Sequence, residues 1–83
     1  MIDPPPGGFR GPVKRSVTIA GHETSVSLEA VFWAALDEQA RTRGVPLSAL
    51  VAAIDARRIE QRDAPNLASA IRTWLFAQRH GAA

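Results

Sequence analysis

Two runs in which apolar and polar residues alternate, R-S-V-T-I at 15–19 and T-S-V-S-L at 24–28, stand either side of the pair Gly21-His22. The second run leads straight into the helix-like stretch A-V-F-W-A-A-L at 30–36. This feature constrains the fold most, because a two-stranded hairpin is marginal alone in water and must lie on something apolar. With Gly21-His22 as a two-residue loop, glycine falls where a type II′ turn wants a positive φ. The pairing expected is then Val17 with Val26, Ile19 with Thr24, Thr18 with Ser25 and Ser16 with Ser27. One face carries Val17, Ile19, Val26 and Leu28, and the other carries Ser16, Thr18, Ser25 and Ser27, since side chains alternate along a strand. The alternative is that only residues 24–28 form strand and pair across a dimer.

Three helical stretches supply the surface for that ribbon. From Glu29 to about Arg43, Phe32, Leu36 and Ala40 recur every four residues with Trp33 beside them, and Gly44 supplies a stop. Ser27 or Glu29 stands at the entry, and Asp37 and Arg41 lie four apart as a helical ion pair. From about Pro46 to Arg58, Leu47, Leu50, Val51 and Ile54 make a single apolar face, and proline suits a first helical turn. The run Arg62-Asp63-Ala64-Pro65 breaks the pattern. Asn66 then caps a third helix over 66–79 with the stripe Leu67, Ala70, Ile71, Trp74 and Leu75. Residues 1–12, with P-P-P-G-G, read as a disordered arm, 13–80 as the folded domain and 81–83 as a tail.

Eighty-three residues make one small domain with limited capacity for burial. The chain has no cysteine, so no disulfide or thiolate metal site can staple it. Oligomerisation is then the expected extra source of burial. No apolar run reaches the length of a membrane span or a secretory signal, which reads as a cytoplasmic protein without membrane contact. Nine of the ten basic residues are arginine, against eight acids, for a formal net charge of +2. That excess is too small to diagnose nucleic-acid binding. Its placement says more, since Arg10, Lys14 and Arg15 face only Asp3 before the ribbon.

Strand, helix, glycine turn and helix in that order resemble the ribbon-helix-helix family. The resemblance is carried by T-S-V-S-L-E at 24–29, F-W-A-A-L at 32–36, R-G-V-P-L-S-A-L-V at 43–51 and Ile54. More narrowly, R-S-V-T-I-A-G-H at 15–22 with T-S-V-S-L-E and N-L-A-S-A-I-R at 66–72 resembles a small bacterial subfamily of that fold. It covers roughly residues 14–79. The fold class implied is mainly α with a short β-ribbon: a ribbon-helix-helix homodimer with an N-terminal hairpin and an extra C-terminal helix. In the family two chains intertwine over a shared core, here Val26, Leu28, Phe32, Leu36, Leu50 and Ile54. This stripe reads as too large for one short chain to cover, and Phe32→Ala is expected to cost about 3–5 kcal/mol as a core truncation. The upward face enters the DNA major groove in most relatives. The DNA-binding residues implied or expected are Lys14, Arg15, Ser16, Thr18, Ser25, Ser27 and Ser48.

Three departures from the family pattern favour a second function. DNA-reading ribbons usually carry forked donors, whereas this one offers hydroxyls, with Glu23 beside them as an acceptor that phosphates repel. Pro46 stands where the family often begins its second helix with a residue whose backbone N–H holds a phosphate, and proline has no N–H; Ser48 is the nearest replacement. A hairpin in each chain makes a four-stranded sheet about 14 Å across at a spacing of ~4.8 Å, against a major groove about 12 Å wide. Two functions follow: a dimeric DNA-binding transcriptional regulator, or a dimeric protein-interaction module, antitoxin-like or an adaptor, with weakened or lost DNA binding. In the second, the helix at 66–79 meets a protein partner.

Other candidate sites have plainer readings. His22 is a turn residue rather than a ligand, sharing no metal-ligand spacing with His80. Ser25, Ser27 and Ser48 have no His–Asp arrangement nearby in sequence, so nucleophilic catalysis is not expected. Asp37-Glu38 suits a solvated helix face better than an acid–base pair. Trp33 and Trp74 are core or interface residues before they are stacking platforms. Arg57, Arg58 and Arg62 solvate a helix end or bind phosphate. No phosphate loop or dinucleotide fingerprint is present, so neither enzyme activity nor any cofactor or metal is expected.

Overall fold

The ribbon forms within one chain. In this structure, a computed structural model that describes residues 1–81, β1 (Val13–Ile19) pairs antiparallel with β2 (His22–Leu28). The loop between them is Ala20-Gly21 rather than Gly21-His22, with φ of 51° and 82°. Two successive positive φ angles make a type I′ turn, whose twist matches that of the strands it joins. The pairs are Val13 with Leu28, Arg15 with Val26, Ser16 with Ser25, Val17 with Thr24 and Thr18 with Glu23. This corrects the register expected from the glycine. The physical reason is length of ladder: centring the turn one residue earlier lets seven residues of each strand pair, including Val13 at the start of β1. Trp33 then donates its indole N–H to the Val13 carbonyl at 2.8 Å and pins that end down.

The faces survive the correction. Moving the turn centre by one residue shifts every partner by two, and two is the period of a strand. Val17, Val26 and Leu28 are buried on one face, while Ser16, Thr18 and Ser25 are exposed on the other with Ser27 half-buried.

Three helices cover the apolar face: α1 (Ala30–Arg43), α2 (Leu47–Arg58) and α3 (Leu67–Arg79). Glu29 rather than Ser27 is the N-cap of α1, and its carbonyl accepts the N–H groups of Phe32 and Trp33 at 2.9 and 3.1 Å. Gly44, at φ 67°, ends α1: Val45 N–H returns to the Ala40 carbonyl and Gly44 N–H to that of Arg41, the pairing of a glycine-closed helix end. Pro46 is the N-cap of α2, one residue outside the helix, and its carbonyl accepts from Ala49 and Leu50. Asn66 caps α3 as expected, its side-chain oxygen accepting from Ser69 N–H at 2.8 Å.

One chain closes its own core. Leu28, Leu36, Val51 and Ile71 are fully buried, one from β2 and one from each helix. Each such side chain contributes roughly 1.5–3 kcal/mol by leaving water. Five of the six residues expected to form a shared dimer core, Val26, Leu28, Leu36, Leu50 and Ile54, are buried here without a second copy. The expectation that one chain is too short to cover this stripe is therefore corrected: α3 supplies Ile71 and Leu75 as the missing cover. The sixth, Phe32, is only half-buried, because the buried positions of α1 are Trp33, Leu36 and Ala40, a stripe centred one residue further round the helix.

Residues 1–12 have no regular secondary structure beyond a turn in which Gly8 N–H donates to the Pro5 carbonyl, and all are exposed. Of the tail at 81–83, only Gly81 lies within the described residues.

Candidate nucleic-acid interface

The ribbon turns one flat polar surface away from the helices. Its rows, read across the register, are Lys14 with Ser27, Ser16 with Ser25, and Thr18 with Glu23. At about 3.4 Å per residue the three rows extend some 14 Å along the strands. The face is polarised along its length, with a cation at the open end and a carboxylate beside the turn. Glu23 belongs to this surface by the strand period it shares with Ser25 and Ser27; the register adds only that its partner across the ribbon is Thr18.

The expected site residues divide into three groups. Lys14, Ser16, Thr18, Ser25 and Ser27 share the outer face. Arg15 does not: it shares the inner face of Val17 and Val26, where its guanidinium lies over the Trp33 ring at 4.5 Å and 3.6 Å from the Asp37 carboxylate. A guanidinium over an indole is held electrostatically by the ring, so Arg15 helps fasten β1 to α1. Asp37 thereby answers to the ribbon rather than to Arg41, which pairs with Glu38 at 2.7 Å. Ser48 is exposed near the start of α2, in the helical layer, and is not brought onto the hydroxyl face.

The junction between ribbon and helices is locked by charge. Arg72 of α3 donates from Nε and Nη2 to the Glu29 carboxylate, both at 2.9 Å, with its guanidinium 5.7 Å from the Phe32 ring centre. Hydrogen bonding from its own backbone amide, ahead of the Arg72 guanidinium, holds the Glu29 carboxyl below its ordinary value. Every element that carries the outer face is thus tied to the helical layer by a named contact: β1 through Trp33 and Arg15, and the end of β2 through Glu29.

The remaining candidates are structural. Trp33 is buried, while Trp74 is half-buried under Arg43, whose guanidinium is 5.1 Å from its ring centre. Arg58 is spent on Asp55 at 2.8 Å and on the Pro65 carbonyl at 3.0 Å. His22 flanks the ribbon turn and His80 stacks on Phe76 with ring centres 4.1 Å apart. Among the described residues no three His, Cys, Asp or Glu side chains group as a metal site, and no helix is long and apolar enough to cross a membrane.

A hairpin is about 4.8 Å between strand axes, and the major groove, about 12 Å wide, admits a two-stranded ribbon. The surface described here has that width and carries hydroxyls able to meet any base edge. A family model described as ribbon-helix-helix domain matches residues 12–78. No curated protein and no solved structure is significantly similar to the chain.

Proposed function

The chain belongs to the ribbon-helix-helix domain family, and on that premise we propose that it is a dimeric DNA-binding regulator that lays the outer face of its hairpin against the major groove. The observation that carries this reading is the exposed outer face itself: three rows of polar side chains on a ribbon two strands wide, with Val17, Val26 and Leu28 buried on the face below. Lys14 and Arg10 meet phosphates, since both are exposed and lead into the basic end of the face. Ser16, Thr18, Ser25 and Ser27 meet base edges, where hydroxyls both donate and accept. Arg15 supports the ribbon from beneath and Ser48 lies at most at the margin of the DNA.

What one chain leaves uncovered supports the dimer. Val31 and Phe76 are 62% and 65% exposed, on α1 and α3, with Phe32 half-buried between those helices. Pairing through this surface keeps each ribbon two strands wide, whereas joining two hairpins edge to edge makes a sheet about 14 Å across, too broad for the groove.

Fluorescence anisotropy with random-sequence duplex across a salt series tests the proposal. Phosphate contact predicts an affinity that falls steeply with salt, and Lys14→Ala flattens the slope by about one unit. Ser25→Ala with Ser27→Ala lowers discrimination between specific and random DNA while leaving nonspecific affinity intact. Salt-independent or undetectable binding at low salt refutes the reading. It then favours the second one, a non-enzymatic interaction module, to which the lack of forked donors and the Glu23 carboxylate on the outer face already point.

A further inference from the structure

Between α2 and α3 runs an open groove of about 570 Å³ that the core does not fill. Small side chains keep it open: Ala53 on α2, and Ala70, Thr73 and Ala77 on α3, with Ile54 and Trp74 completing an apolar floor. Among the described residues, three guanidinium groups line it and no carboxylate does. Arg58 is occupied within the fold by Asp55 and the Pro65 carbonyl. Among the described residues Arg43 bonds to neutral partners, the side-chain amide oxygens of Gln39 at 3.4 Å and Gln78 at 3.2 Å, and its guanidinium lies 5.1 Å from the Trp74 ring centre. Arg57 meets Glu60 at 3.5 Å, but these side chains are 85% and 63% exposed, and such surface pairs contribute little.

The two available cations stand at opposite ends. The bond from Arg58 to Pro65 sets the last turn of α2, with Arg57, beside the start of α3. The bond from Arg43 to Gln78 sets the end of α1 beside the last turn of α3. Between them the groove follows α3 from Ala70 to Ala77, two helical turns, or about 10 Å at 1.5 Å per residue.

We propose that this groove binds an acidic amphipathic helix of a partner protein, with two carboxylates about seven residues apart flanking an apolar pair. The apolar side chains fill the floor over Ala53, Ala70 and Trp74, while the carboxylates meet Arg57 and Arg43. Duplex DNA matches the charge but offers nothing apolar for the floor between. The site shares no residue with the ribbon's outer face, so a partner here and DNA there are compatible, and this inference stands independently of DNA binding.

The test uses the full chain and synthetic helical peptides of about fifteen residues, with two glutamates seven positions apart and leucines three and four positions after the first. One control replaces both glutamates with lysine, and a second moves them to four residues apart. The expected result is binding of the first peptide by anisotropy, with amide shifts centred on Ala53, Ala70, Thr73 and Ala77. The lysine control binds at least about tenfold more weakly, as follows from replacing two attractions with two repulsions. Arg43→Gln with Arg57→Gln weakens the first peptide comparably while its far-ultraviolet circular dichroism stays that of the parent. The inference is overturned if the first peptide does not bind, if the lysine control or the closer-spaced control binds equally, or if the shifts map elsewhere. It is also overturned if the groove amides shift with protein concentration alone, which makes a second copy the occupant, or if duplex DNA perturbs them in place of the peptide.

Discussion

Ala20 holds φ at 51° in the ribbon turn, a conformation that costs an ordinary L-residue about 1–2 kcal/mol. Asparagine tolerates that region, and Asn-Gly is the preferred pair for a type I′ turn. Ala20 is exposed, so the larger side chain meets no packing penalty. Ala20→Asn is therefore expected to stabilise the protein by about 0.5–1 kcal/mol, recovering part of the strain. For a domain of this size that corresponds to a rise in Tm of roughly 2–8 °C, measured by circular dichroism at 222 nm. The variant also decides the register. With the loop at Gly21-His22, residue 20 would be an extended strand residue, and asparagine is depleted in strands, so Tm would fall. A fall, or no change, refutes the turn described here. Gly21→Ala calibrates the scale: a Cβ there meets no atom within 4 Å, so its cost of about 1 kcal/mol is backbone strain alone.

Leu36→Ala should destabilise by about 2–5 kcal/mol, being a fully buried core truncation. Phe32→Ala should cost less than the about 3–5 kcal/mol of a buried phenylalanine, because the ring is half-exposed; chemical denaturation ranks the two, and the reverse order contradicts the placement of α1. A carboxyl lowered in the folded state, as at Glu29, stabilises above its unfolded value, and that contribution is lost as pH falls through the folded one. The Tm gap between the parent and Glu29→Gln should thus be open at neutral pH and close as pH drops below 4.5 and through the lowered value; a gap constant with pH argues against the Arg72 contact. Phe76→Glu should yield monomer by sedimentation at micromolar concentration while keeping the parent's helical spectrum, whereas an unchanged dimer moves the interface away from α1 and α3.

Periodicity alone was enough for the elements and their faces. The strand period of two separates Val17, Val26 and Leu28 from Ser16, Ser25 and Ser27 in any register that shifts by an even number, so the polar face was legible even though the turn was misplaced. Gly44 and Asn66 announced helix ends because their chemistry at those positions is local. The family, too, was readable from short motifs, and the match over residues 12–78 bears that out.

What tertiary structure decided was every choice between locally equivalent options. The turn moved onto a strained alanine because a longer ladder and the Trp33 bond to Val13 outweigh a local preference for glycine first. Arg15 became a strut over Trp33, and Phe32 yielded its place in the core to its neighbour, through contacts eighteen or more residues apart in sequence for which no spacing rule exists. Whether one chain could cover its own apolar stripe depended on α3 folding back to supply Ile71 and Leu75. The groove left open beside it arises from small residues on two helices that only their packing brings together.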